Sequence, residues 1–159
     1  MSLDVRDVLA PGASGAPGAP DTPGARDASG RTRLLLARDV VFHSPVADYR
    51  GRDDVAHLFP KIGQCLTGIE PLQEFTEPGK AGKDAGDGQD AGVGQEQRSV
   101  TTFTGRVGEE SVYGAFVQQV DAEGQLTEAT LLLRPLSALT TAVSLMRDAL
   151  IADPLPSRR

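Results

Sequence analysis

Apolar and polar positions in this chain alternate with period two in some stretches and recur at helical spacing in others. Over residues 39–44 the alternation predicts a strand, with Val40, Phe42 and Ser44 on one face and Val41 and His43 on the other. Pro45 cannot donate to a ladder and ends it. Val55, Leu58, Phe59, Ile62 and Leu66 recur at helical spacing and predict a helix over 53–66. Pro60 inside that pattern should kink or split the helix, and Gly68 reads as its stop. Residues 33–37 read as the end of another helix, and 71–76 as a short strand. Longer alternating runs over 99–107, 111–120 and 125–134 predict three successive strands. Their connections are the polar turns at 108–110 and 121–124, where Gly108 and Gly124 suit tight hairpins. A C-terminal helix over 137–152 carries Leu139, Val143, Met146 and Leu150 as its apolar stripe, and Pro154 and Pro156 end it.

Two segments break this order. Residues 11–30 are almost entirely small residues, Gly and Pro, and cannot bury enough apolar area to offset the entropy of ordering. They are expected to be a flexible linker. Leu3, Val5, Val8 and Leu9 before them outline a helix fragment too short to stand alone, which needs a surface to dock on. Residues 78–98 form a second Gly- and Asp-rich stretch, expected to be a disordered insertion. The organisation expected is a fragment and linker over 1–32, one domain over 33–152 and a tail over 153–159.

Composition then removes several function classes. The 159 residues carry a net charge of −6, against a nucleic-acid binder, which needs a basic face. No run of apolar residues is long enough to span a membrane, and no basic-then-apolar leader is visible. Cys65 is the only cysteine, which excludes an internal disulfide and suits a reducing cytoplasm. Two histidines and one cysteine far apart give no metal-ligand spacing. Asp84, Asp87 and Asp90 are spaced by three and lack calcium-loop alternation. No phosphate loop or nucleophile elbow is present, so no cofactor is expected.

The segment FHSPVADYRGR at 42–52, followed by an amphipathic helix, and the segment DAEGQLTEATLLLRPL at 121–136 resemble the SnoaL-like branch of the nuclear transport factor 2 (NTF2-like) superfamily. The resemblance spans about 33–152. It implies an α+β cone, in which a curved, mainly antiparallel sheet encloses a pocket roofed by helices. In the ketosteroid-isomerase relatives a carboxylate base precedes the proline of the first strand, and the matching residue here is Ser44. A second acid of that group, which binds an oxyanion, falls at Phe116, and the helix that supplies a tyrosine donor is reduced. Serine cannot shuttle the proton, so the resemblance carries the fold and leaves the chemistry open.

The candidate pocket residues are Phe42, Ser44, Tyr49, Phe59, Phe103, Phe116, Gln118, Thr127, Ala129, Leu131 and Leu133. Thr127, Ala129, Leu131 and Leu133 share the apolar face of the last strand, and Phe116 and Gln118 share a face of its neighbour. Such a lining suits a small apolar ligand, and equally a core simply filled by its own side chains. Asp48 and Tyr49 are the candidate catalytic groups, Asp48 as a base at the pocket mouth or as a turn residue. His43 alternates to the face opposite Ser44, and His57 falls among polar positions and reads as solvated. Glu128, Thr130, Leu132 and Arg134 form the outer face of the last strand, expected to pair with a second copy in a homodimer. Three readings stay open: a non-catalytic binder of a small apolar ligand that also dimerises, an isomerase, cyclase or hydratase of a polyketide- or steroid-like molecule, and a structural or protein-interaction module.

Overall fold

The computed structural model describes residues 4–9, 32–77 and 96–158. The expected linker at 11–30 and residues 78–95 of the expected insertion lie outside them.

Six strands form one sheet: β1 (Leu36–His43), β2 (Asp48–Arg50), β3 (Leu66–Glu77), β4 (Gln97–Val107), β5 (Glu110–Val120) and β6 (Leu126–Arg134). Their order is β2-β1-β6-β5-β4-β3. All neighbours are antiparallel except β1 and β6, which run parallel. Helix α1 (Val5–Leu9) precedes the sheet, α2 (Arg52–Cys65) follows β2, and α3 (Leu136–Ala152) follows β6. Burial alternates cleanly along β4 and β5, so one face is packed and the other half-exposed. The packed face carries Phe42, Phe103, Phe116, Gln118, Ala129 and Leu131, and α2 presses Val55, Leu58, Phe59 and Ile62 against the same core. Phe42 and Phe59 meet edge to face, with ring centroids 5.0 Å apart.

Several expectations change at the edges of elements. Residues 32–34 form a helical turn, but Leu36 and Ala37 already belong to β1. Pro60 does not split α2, whose Phe59 and Ile62 are held in the core on either side of it. Gly68 does not stop the chain there. It adopts φ 59° inside β3, which runs to twelve residues. Gln97 and Arg98, placed in the insertion by composition, open β4 and pair with Val120 and Gln119. Helix α1 docks as it must, burying Val5, Val8 and Leu9 in the shared core, so the fragment belongs to the packed unit. The expected tail also packs: Leu155 is buried, and Ser157 donates both its amide and its hydroxyl to the Asp54 carboxylate.

Candidate functional site

A cavity of about 200 Å³ lies between α2, α3 and the inner face of β6. Its sheet wall is Leu131 and Leu133 of β6, alternate residues that the pleat points inward, with Leu66 at the start of β3. Leu58, Ile62 and Cys65 of α2 recur at i, i+4 and i+7 and so share the face that meets it. Leu139, Val143, Met146 and Leu150 of α3 form the opposite wall. Only Ala138 and Ala142 of α3 are buried. The larger stripe residues are half-buried, because they face open space rather than a packed layer. Ser44, Pro45, Val46 and Tyr49 close one end from the β1–β2 hairpin.

Polar groups on this wall are few. The Ser44 hydroxyl donates to the Ala47 carbonyl at 2.8 Å and accepts from the Ala47 and Val46 amides at 3.0 and 3.3 Å. It is committed to its own turn. Tyr49 pairs with Phe42 across the β1–β2 ladder, and their rings stack at 6.3 Å. Burial pushes the Cys65 thiol above its ordinary range, so it stays protonated at neutral pH. Arg147 is the one charged side chain on the wall among the described residues, and it is exposed. No carboxylate or imidazole of the described residues lies on the wall.

The residues singled out from sequence thus divide. Ser44, Tyr49, Leu131 and Leu133 come together on the cavity wall. Phe42, Phe59, Phe103 and Phe116 are fully buried and fill the deep end of the core. Gln118 is also buried and pairs in register with Ser99 on one side and Ala129 on the other, away from the cavity. Thr127 leaves the face of Ala129, because a register shift between Gln119 and Val120 puts one extra residue in β6. Its hydroxyl donates to the Gln119 carbonyl at 3.1 Å, and Leu126 takes the buried place.

Asp48, read as a base at the pocket mouth, is not on the cavity wall. It stands opposite His43 in the hairpin, and its carboxylate lies 2.8 Å from His43 Nδ1 on the outer face of the sheet. Glu128 approaches the same imidazole from β6, at 3.7 Å from Nε2. Arg134 lies over the Tyr113 ring, 4.7 Å from its centroid. His57, expected to be solvated, is mostly covered, with Nε2 3.0 Å from the Asp153 carbonyl. Sequence reasoning missed the α3 stripe and Cys65 as cavity wall. The stripe was visible as an apolar face, but no pattern in it says whether that face meets side chains or space. Among the described residues no group of three His, Cys, Asp or Glu side chains is placed to hold a metal ion, and no helix is long and apolar enough to cross a membrane.

No protein-family model matches the chain, and no curated protein matches it in sequence. Solved structures do. A bacterial protein with a cystatin-like fold from Silicibacter pomeroyi DSS-3 superposes with a TM-score of 0.62 at 20% identity, over 79% of this chain and 77% of that one. A steroid delta-isomerase from Pseudomonas aeruginosa gives 0.61 at 24% identity, over 80% and 83%. A de novo designed protein with a curved β-sheet gives 0.52 at 10% identity, over 75% and 81%. Likeness at these identities carries the backbone architecture and no site residue. With its six-stranded sheet and helices packed on one face, the chain has the α+β cone of the NTF2-like fold.

Proposed function

We propose that this chain binds a small apolar molecule, of about one ring, in the cavity between α2, α3 and β6, without acting on it chemically. The observation that supports this reading is the wall itself: mostly aliphatic side chains, with Tyr49 at one end and Arg147 exposed, a serine spent on its own turn and a protonated thiol. Size points the same way. Apolar cavities of about 150 Å³ take up benzene, whereas sites for drug-sized ligands begin at about 300 Å³. At about 200 Å³ the cavity favours a single-ring ligand over a steroid. Isomerisation would need a proton shuttle beside the substrate carbonyl. The candidate, Asp48, is engaged with His43 elsewhere, so no turnover of a β,γ-unsaturated ketosteroid is expected.

Indole is a suitable probe. It should raise the unfolding temperature and slow alkylation of Cys65 by iodoacetamide, measured at alkaline pH where the thiolate forms. Ala142→Leu fills the space from α3 and should abolish both effects while the chain stays folded. Indole that leaves Cys65 alkylation unchanged, or that acts equally on Ala142→Leu, would refute the assignment.

We also propose that the outer sheet face pairs with a second copy of the chain. Glu128, Thr130, Leu132 and Arg134 alternate along it, and Leu132 is 54% exposed at its centre. Ala115 flanks it on β5 and Thr102 lies beyond on β4. Phe75 of β3, paired with Val100, adds a second apolar side chain 57% exposed.

A further inference from the structure

Four of the thirteen arginines converge on one groove that shares no residue with the apolar cavity. Arg33 comes from the turn at 32–34, Arg38 from β1, Arg50 from the end of β2 and Arg52 from the first position of α2. Gly51, Asp53, Asp54, Pro156 and Ser157 complete the lining of an open space of about 560 Å³. Both acids are already engaged. Asp53 pairs with Arg33 at 2.7 Å, and Asp54 accepts from the amide and hydroxyl of Ser157. No carboxylate of the described residues pairs with Arg38, Arg50 or Arg52. The Nε of Arg52 is moreover shielded from water, with no hydrogen-bond partner among the described residues. A donor in that position is costly to leave unmet.

The backbone adds to the same field. Gly51 takes φ 92° at the N-cap of α2, and no side chain caps the first turn. The positive end of the fourteen-residue helix therefore opens at the groove, next to the arginines. On a chain of net charge −6 this is a local reversal of sign. Three guanidinium groups without acidic partners offer more donors than a single carboxylate can accept, since each brings five N–H groups in a planar fork.

We propose that this groove binds a ligand through a diphosphate group. Arg38 and Arg50 grip the phosphate oxygens from the strands, and Arg52 and the first turn of α2 hold the other end. Isothermal titration of the full chain with inorganic pyrophosphate tests this, against sodium chloride at matched ionic strength. Binding is expected, with Arg38→Gln/Arg50→Gln weakening it at least about tenfold. Both side chains are exposed, so the unliganded unfolding temperature and the response to indole should not change. An ADP arm separates two sources of the same chemistry. Tighter binding than pyrophosphate identifies a nucleotide, and equal binding identifies the diphosphate alone; either supports the site. Pyrophosphate heats no different from the chloride control, or affinity unaltered in the double variant, would overturn it.

Discussion

Gly114 stands opposite Phe103 in the β4–β5 ladder, and the Phe103 ring folds across it. A Cβ there would collide with Phe103 Cζ and would lie 2.8 Å from the Leu132 carbonyl oxygen. Gly114→Ala should therefore destabilise the chain by about 1–3 kcal/mol, the usual range for overpacking. A fall in the urea midpoint at constant slope would report it. Adding Phe103→Leu should recover only part of the loss, because the Leu132 carbonyl is backbone and cannot step aside. An unchanged midpoint for Gly114→Ala would show that the ring moves freely. Which residues share a face was legible in the alternation of β5, but the partner across the ladder was not, since a period of two leaves register open. The same limit hid the role of Asp48. His43 could be assigned to the outer face, but only the hairpin register brings Asp48 onto it.

Long elements were readable and short or non-local ones were not. The 53–66 and 137–152 helices match α2 and α3 to within a residue at each end, because their apolar stripes persist for several turns. The three residues of β2 carry no period, so nothing marked them. The parallel pairing of β1 with β6 joins segments some ninety residues apart, which no local pattern encodes. The closure of α3 on α2 is another non-local device. Lys61 Nζ lies 2.8 Å from the Asp153 carboxylate, just past the end of α3, and the Lys61 side chain is only 14% exposed. Asp153→Ala leaves that ammonium mostly shielded and without its carboxylate, at a cost of about 1–3 kcal/mol. Amide hydrogen exchange should accelerate in the last turns of α3 and not in β4 or β5. Exchange unaltered in α3 would mean that its apolar stripe alone holds it in place. Since α3 is a cavity wall, indole affinity should fall in the same variant.

For the molecule as a whole, the core covers one face of the sheet and leaves the other outside it, where the dimer is proposed. Leu132→Asp places a charge at the centre of the proposed dimer face, in a position already exposed in the monomer. The variant should sediment as a monomer with an unchanged unfolding temperature at low concentration. A wild-type chain that is itself monomeric at high micromolar concentration would end that proposal. The fold was legible from two segments at 42–52 and 121–136, yet the cavity was not. Its volume is a difference between how much space the helices span and how much their side chains fill, and neither can be counted along a chain.

Strand β3 has one more consequence. It is one of the two edge strands, exposed from Glu70 to Glu77, and among the described residues nothing pairs with its far edge. An open row of amides and carbonyls of that length is a template for a foreign strand. Glu70, Glu74 and Glu77 spread charge along it, and Pro71 withholds a donor. Their side chains are exposed rather than part of the core. What the charges and the proline govern is solubility: they keep the open edge of one molecule from pairing with the edge of another.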